Sequence, residues 1–168
     1  MPHLDAAYRF ARWLCRSDDA NDIVQEAFLR AFRGFDALRG GDVKAWLLTI
    51  VRNCYATALE QQRRRPTVPL GEEHTEALQA DAHGASPDPE SATLAEDERR
   101  TLAQLIEALP EEHRQVLLLR ELEDLSYREI AAVTQVPIGT VMSRLARARA
   151  ALRGKWLDTA GGVPRAVR

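Results

Sequence analysis

The chain has 168 residues, of which 45 % are hydrophobic and 29 % are charged, as in one globular domain or two small ones. It contains no apolar run near the roughly 20 residues that cross a bilayer, and no basic-then-apolar secretory leader. Cys15 and Cys54 lie far apart and form no metal-ligand motif. We therefore expect a cytoplasmic protein with no membrane insertion, no disulfide framework, no metal site and no cofactor.

Charge divides the chain into three segments. Residues 1–65 carry a net charge of +3, residues 66–98 carry −9 with no Lys or Arg, and residues 99–168 carry +4. The acidic segment also contains four prolines, which together with like charges oppose a packed core. It predicts a linker, which is either a solvated spacer or an acidic strand that occupies a basic, nucleic-acid-binding channel of a partner.

The first segment predicts three helices, at about 5–15, 20–35 and 43–65, because its apolar residues recur with the helical period. The first of these helices offers four residues for a core, namely Tyr8, Ala11, Trp13 and Leu14. Ser17, Asp18 and Asp19 supply capping chemistry for the second helix.

The second helix has two different faces. An apolar stripe runs from Ile23 to Phe35, and the opposite side carries Leu29 within a polar arc. The polar residues of that arc are Asp22, Gln25, Glu26 and Arg33. An apolar side chain ringed by polar groups is typical of a protein-docking patch, while a single exposed Leu is also ordinary on any surface. Both interpretations stay open at this point.

The third helix follows a loop that is bracketed by Gly34, Gly40 and Gly41. Lys44, Arg52 and Asn53 lie off its apolar stripe, and Trp46 lies at the edge of the stripe. The helix ends in Arg63, Arg64 and Arg65. These arginines either complement the helix dipole or contact phosphates beside a Trp that meets unstacked bases.

The last segment predicts a helix-turn-helix. Ser126 and Glu129 have the spacing of a capping box, and Leu125 and Ile130 have that of a hydrophobic staple. A short turn through Pro137 leads into a final helix that extends to about residue 152. A short helix, a short turn and a basic second helix are typical of this DNA-binding motif.

The final helix buries one stripe and turns small or basic side chains outward. The stripe consists of Val141, Leu145, Ala148 and Leu152. The outward and flanking residues are Thr140, Met142, Ser143, Arg144, Ala146, Arg147 and Arg149. Short polar side chains with Arg suit base edges and phosphates, so DNA binding is favoured over a solvated basic helix in a bundle. We find no nucleophile–base pair and no phosphate-binding loop, so we expect no enzyme.

Several segments in order resemble bacterial sigma factors of the extracytoplasmic-function (ECF) group. Residues 22–32 and 45–53 resemble two helices of sigma region 2. Residues 109–114, 125–131 and 136–145 resemble sigma region 4. Met142 and Ala146 depart from the family, which often has basic or bulky residues there.

The resemblance implies an all-α fold of two small helical domains joined by an acidic flexible linker. Region 2 would cover residues 1–65, the linker 66–98, the region 4 helix-turn-helix 99–157, and a C-terminal tail 158–168. The family's connector threads the polymerase near the RNA exit path, which favours the nucleic-acid-mimic interpretation of the linker.

The resemblance also implies a promoter-specificity subunit, which binds the clamp and flap regions of core RNA polymerase and promoter DNA. An anti-sigma factor would control it in a stress or envelope response. Polymerase binding would fall on Asp22, Gln25, Glu26, Leu29 and Arg33. Contacts to the −10 element would fall on the loop of residues 38–44 and on Lys44, Trp46, Arg52 and Asn53. Contacts to the −35 element would fall on Thr140, Met142, Ser143, Arg144, Ala146, Arg147 and Arg149. The competing hypotheses are an autonomous helix-turn-helix regulator and a sigma mimic that titrates an anti-sigma factor.

Overall fold

The computed structural model describes residues 3–15, 19–35, 38, 40, 42–64 and 89–159, with the side chains of 89–95 and 159 left aside. This part of the chain contains α-helices and no strand, so the expected all-α fold is confirmed. The helices are α1 (Leu4–Leu14), α2 (Ala20–Gly34), α3 (Val43–Arg64), α4 (Pro89–Glu107), α5 (Glu111–Glu121), α6 (Tyr127–Thr134) and α7 (Ile138–Thr159).

Two compact units divide the chain. The first combines residues 1–67 with residues 110–149. Within it α1, α2 and α3 pack on one another, α3 packs on α6, and α1 contacts α5. Helix α6 of the helix-turn-helix therefore lies against α3. The described part of the second unit consists of α4 and the end of α7 from Ala150 onward.

Each of the first three helices contributes one stripe of side chains to a shared core. Phe10, Leu14, Leu48 and Val51 are fully buried. Phe10 takes the place that the sequence analysis gave to Tyr8, which is exposed. The expectation for Tyr8 was wrong because Phe10 and Leu14 are four residues apart and share a face, whereas Tyr8 lies across the helix from Phe10.

Two helices are longer than the sequence predicted. Helix α4 begins at Pro89, ten residues before the expected start at residue 99. Proline suits the first position of a helix, and the following residues include the helix formers Ala, Leu and Glu. The charge pattern had placed these residues in the linker. Helix α7 continues past Leu152 and Gly154 to Thr159.

The start of α6 has the predicted capping box. The Ser126 hydroxyl accepts a hydrogen bond from the Glu129 backbone N–H at 3.3 Å, and the Glu129 carboxylate accepts one from the Ser126 N–H at 2.7 Å. Leu125 and Ile130, the predicted staple, are both buried. Two orphan donors at the helix start are thereby satisfied. The prediction for this helix start is confirmed.

The turn of the helix-turn-helix depends on one left-handed residue. Gln135 closes α6 with φ 56° and ψ 40°, and its backbone N–H donates to the Ala131 carbonyl. The Pro137 carbonyl then accepts hydrogen bonds from the N–H groups of Thr140 and Val141, at 2.9 and 3.1 Å. These bonds start α7 and fix where its side chains point.

Candidate functional site

The outer face of α2 carries the five residues that the sequence analysis assigned to polymerase binding, and all five are exposed. Leu29, at its centre, is 54 % exposed. The opposite side of α2 is buried at Ile23, Val24 and Ala27 and packs among α1 and α3. We call the exposed set the α2 outer face: Asp22, Gln25, Glu26, Leu29 and Arg33.

Phe32 extends this face and was missed by the sequence analysis. It lies three residues after Leu29 and is 84 % exposed. The helical wheel already placed it beside Leu29, away from the buried stripe, so the signal was available. An apolar patch rimmed by polar residues on a helix is a feature of protein-interaction surfaces. Leu29 and Phe32 together form its apolar centre.

Phe35, which the sequence analysis placed at the end of the apolar stripe, is exposed, so that part of the prediction was wrong. The Phe35 side chain is exposed and packs edge-on against Trp46 of α3, with ring centroids 6.4 Å apart. The contact supports the position of Trp46, which is half-buried.

Charges on the α2 outer face are partly paired. Glu26 accepts a hydrogen bond from Arg30 at 2.7 Å, one helical turn away, and this bond raises the Arg30 pKa. Both side chains remain open to solvent. Such an exposed pair contributes little to stability, so Glu26 is available to an incoming basic group.

The residues assigned to the −10 element do not form one open surface. Lys44 is half-buried, and its ammonium group contacts a carboxylate oxygen of Glu123 at 2.8 Å and the Glu123 backbone carbonyl at 2.8 Å. Arg52 and Asn53 are half-buried, with 3.5 Å between Arg52 Nη1 and Asn53 Oδ1. Among the described residues, Arg52 Nε is buried without a hydrogen-bond partner.

The loop before α3 is described only at Leu38, Gly40 and Asp42. Gly40 has φ 77°, a conformation that glycine adopts without strain. The Asp42 carboxylate accepts a hydrogen bond from the Ala45 N–H at 3.0 Å and so caps α3. The assignments to Arg39 and Gly41 within this loop lie outside the described residues, as do the capping residues Ser17 and Asp18.

Helix α7 turns the predicted residues outward. Met142, Ser143, Ala146 and Arg147 are exposed, while Thr140 is half-buried. In the stripe beneath them Val141, Leu145 and Ala148 are buried, and Leu152 is half-buried. We call the four exposed residues the α7 outer face. It combines two small side chains, Ser143 and Ala146, with the apolar Met142 and one guanidinium, and small side chains allow close approach to base edges.

Two other arginines assigned to the −35 element are engaged within the protein. Arg144 is 19 % exposed and pairs with Glu112 of α5 at 2.5 Å. Arg149 donates to Glu121 at 2.6 Å, and this hydrogen bond raises the Arg149 pKa. Both pairs hold α7 on α5. Within the described part of the chain no ion pair engages Arg147, which is the one guanidinium of the α7 outer face.

The described residues offer no metal site, since no group of three or more His, Cys, Asp or Glu is placed to hold an ion. The same residues contain no helix that is long and apolar enough to cross a membrane. Burial raises the pKa of the Cys15 thiol to about 11, with a smaller contribution from the Asp19 charge. A thiol with so high a pKa is protonated near neutral pH and is a poor nucleophile.

Comparison with known protein families finds two matches in this chain. Both belong to one class of protein, the DNA-binding factors of transcription initiation. The family "Sigma-70 region 2" matches residues 1–65, and the family "Sigma-70, region 4" matches residues 99–152. The first match covers α1 to α3 with the α2 outer face. The second covers the last half of α4, all of α5 and α6, and α7 through Leu152.

Proteins that are similar to this chain over most of its length identify a narrower family within this class. The ECF RNA polymerase sigma-E factor of Escherichia coli K12 is 42 % identical over 144 residues, which cover 83 % of this chain and 74 % of that one. The RNA polymerase sigma-H factor of Pseudomonas aeruginosa is 39 % identical, covering 84 % and 75 %. The chain belongs to the ECF RNA polymerase sigma factors, a family of non-catalytic transcription initiation factors.

Solved structures share the fold. The sigma factor RpoE of Bartonella quintana, in complex with the anti-sigma factor NepR, matches with a TM-score of 0.68 at 24 % identity and covers 90 % of both chains. CnrH in complex with the cytosolic domain of CnrY matches at 0.61 and 24 %, covering 94 % of this chain and 83 % of that one. SigJ of Mycobacterium tuberculosis matches at 0.56 and 28 %, covering 89 % and 50 %.

Proposed function

We propose that this sigma subunit joins core RNA polymerase in the cytoplasm through the α2 outer face. The observation that carries the proposal is the exposure of all five assigned residues around an apolar centre. Aromatic and aliphatic anchors inside a polar rim are the usual composition of a protein-binding hot spot. The polymerase clamp would cover Leu29 and Phe32 and meet the surrounding charges.

The promoter is bound at two places. The α7 outer face enters the major groove of the −35 element, where Arg147 supplies the contact of greatest specificity. Arg144 and Arg149 hold α7 on α5, so they orient the helix. The loop before α3, with Trp46, serves the −10 element, where an unstacked base needs a pocket and an aromatic surface.

The functional regions correspond to the segments that the charge pattern defines. Region 2 is residues 1–65, the acidic linker 66–98, region 4 residues 99–157, and the tail 158–168. The two family matches and the net charge of −9 in the linker support these bounds. A chain of that charge suits a basic channel, which we assign to the polymerase.

An anti-sigma factor is the second protein partner. Two of the matching structures contain a sigma factor with an anti-sigma protein or with the cytosolic domain of a second protein, which supports a partner of this kind here. We expect it to cover the α2 outer face, because Leu29 and Phe32 are large, exposed and apolar. Its release would answer a stress or envelope signal.

Titration of sigma-free core polymerase with the full chain, followed by run-off transcription on a pool of promoter fragments, tests the proposal. We expect saturable binding and transcripts from a subset of promoters that share −10 and −35 sequences. Tight binding to duplex DNA without the polymerase would instead indicate an autonomous regulator. A folded chain that binds neither polymerase nor duplex would indicate a mimic that sequesters an anti-sigma factor.

A further inference from the structure

Two glutamates of α5 hold the arginines that flank the outer face of α7. Arg144 contacts Glu112 at 2.5 Å, and Arg149 contacts one carboxylate oxygen of Glu121 at 2.6 Å through Nη2 and at 3.2 Å through Nε. Glu112 lies in the first turn of α5, and Glu121 is its last residue, about 13 Å further along the helix axis. The two helices are therefore joined at two separate points, which we call the α5–α7 ion pairs.

The α5–α7 ion pairs lie on opposite sides of the buried stripe of α7. Arg144 precedes Ala148 by four residues and Arg149 follows Leu145 by four, so each arginine lies about 40° outside one edge of the stripe. The buried part of the stripe, from Val141 to Ala148, spans only about 60° of the helix circumference, less than the 100° that is usual for a surface helix. So narrow an apolar contact resists rotation of α7 about its own axis weakly, and an ion pair on each side adds resistance.

A small rotation of α7 would displace the Arg147 guanidinium from its partner. At the outer radius of a helix with its side chains, about 5–6 Å, a rotation of about 20° moves an atom by about 2 Å. A hydrogen bond to a base edge tolerates a change of only a few tenths of an ångström. The α5–α7 ion pairs can therefore control base recognition without any contact of their own with a base.

The same carboxylates occupy two guanidinium groups that would otherwise be open to phosphates. The Arg149 side chain is half exposed, and that of Arg144 is 19 % exposed. An unpaired arginine at the edge of a DNA-facing helix contacts phosphates of any sequence, which adds affinity without discrimination. A carboxylate beside such a helix also repels the DNA backbone. The α5–α7 ion pairs thus lower the affinity for DNA of any sequence.

We propose that Glu112 and Glu121 are positioning residues for recognition of the −35 element, which fix the rotation of α7 and withhold Arg144 and Arg149 from DNA phosphates. This inference rests on the proposed function, because the α7 outer face meets the −35 element only through it. Both glutamates act through arginines of α7. Their joint effect is to raise the ratio of initiation on a matched −35 element to initiation on an altered one.

The substitutions Glu112→Gln and Glu121→Gln remove each charge and keep the shape of the side chain. The two glutamate side chains are 67 % and 49 % exposed, and exposed ion pairs contribute little to stability, so both variants should fold. The matched control is Asp124→Asn, which removes one negative charge just after α5. Asp124 is exposed and belongs to neither pair, and its φ of 53° is one that Asn tolerates.

The experiment measures initiation by core polymerase reconstituted with the full chain on two templates. One is a promoter that the wild-type chain transcribes in the run-off pool, and the other differs from it only in the −35 element. We expect the ratio of initiation on the matched template to that on the altered template to fall about fivefold or more in each glutamate variant, and further in the double variant. The Asp124→Asn ratio should equal that of the wild type.

Initiation on the altered template separates positioning from a loss of stability. Released arginines bind phosphates of any sequence, so both glutamate variants should initiate there about two- to fivefold more strongly than the wild type. A loosened region 4 cannot produce this gain. Circular dichroism checks that the variants keep their helicity.

A ratio equal to that of the wild type in the folded double variant would overturn the proposal. A lower ratio without any gain on the altered template would also overturn it, because lost stability of region 4 produces that pattern. An equal fall in Asp124→Asn would assign the effect to net charge and overturn it too. Absence of any promoter-dependent transcript with the wild-type chain would contradict the proposed function itself, and is distinguishable because it precedes every comparison of variants.

Discussion

Helices α2 and α7 use the same amphipathic design and leave different side chains on the outside. Helix α2 exposes two large apolar side chains, Leu29 and Phe32, within a charged rim. The α7 outer face contains one, Met142, beside Ser143, Ala146 and Arg147. Large apolar groups gain free energy only against another protein's surface. Small groups beside a guanidinium fit the floor of a DNA groove. The number of large apolar side chains and the presence of small residues beside a guanidinium, more than the helical period, distinguish the two faces.

The substitution Leu29→Asp tests the protein-binding half of this comparison most severely. It places a charge at the apolar centre of the α2 outer face, and we expect core polymerase affinity to fall by about 2–4 kcal/mol. Titration with core enzyme measures the loss, and circular dichroism checks the helicity. Leu4→Asp is the control, because Leu4 has similar exposure on α1 and lies outside the face. Equal affinities for the two variants would break the comparison.

The substitution Arg147→Ala tests the DNA-binding half. Removing the guanidinium from the α7 outer face should weaken −35-dependent initiation by about 1–3 kcal/mol. Run-off transcription on promoters with altered −35 sequences measures the effect and its dependence on sequence. Arg153→Ala removes the same charge from the same helix and is expected to weaken initiation less. If both variants lose the same activity on every promoter, the contribution of Arg147 to initiation comes from net charge and not from a base contact.

The two helices also differ in how the start of a helix is capped at or near them. The substitution Ser126→Ala tests the importance of that difference. Helix α6, which precedes α7, begins with a complete capping box, whereas α2 has no side-chain hydrogen bond at its N-cap. Loss of the Ser126 hydroxyl should lower the free energy of unfolding by about 1 kcal/mol, measured by urea titration. In Thr57→Ala the lost hydroxyl bonds a carbonyl within α3, and we expect a change within about 0.5 kcal/mol. A similar loss in both would contradict a special role for the cap.

The smallest expected effect is a loss of stability at alkaline pH, and it comes from Cys15, which follows α1. Burial raises the Cys15 pKa from 9.0 to about 11, so the folded state keeps a proton that the unfolded chain releases. This contribution to stability is complete below pH 9 and disappears as pH rises toward 11. Because Cys15 is partly exposed, we expect less than about 1 kcal/mol between pH 8 and 10. Urea titrations in reducing buffer at both values compare wild type with Cys15→Ser. A pH response that is identical in the two proteins would assign the effect elsewhere.

Local signals were sufficient for the start of α6 and for the residues predicted to lie on both outer faces, but not for the ends of α4 and α7, and Phe32 was missed. The capping box at Ser126 and the buried stripe beneath the α7 outer face follow from spacing within a dozen residues, and the structure has both. The exposure of Leu29 was likewise visible on a helical wheel. The roles assigned to these residues toward polymerase and promoter stay predictions.

Contacts between distant segments could not be predicted from the sequence. Glu123 is one acidic residue among eight in the last segment, and only its approach to Arg9 and Lys44, both far away in the chain, makes it buried. The pairing of Arg144 with Glu112 similarly depends on how α7 packs on α5. Helix α4 begins at Pro89, inside the predicted linker, because proline opens a helix as readily as it interrupts one.

The left-handed backbone at Gln135 limits which residues are tolerated at this position, although the position lies on the surface. Its side chain is exposed, so size and polarity matter little there. Its φ of 56° nevertheless disfavours β-branched residues and favours Gly or Asn. A library of substitutions at this position would be ranked by backbone preference alone, with glycine at the top and valine and isoleucine at the bottom. Sequence variation at position 135 is therefore restricted by the angle between two helices and not by any contact of the side chain.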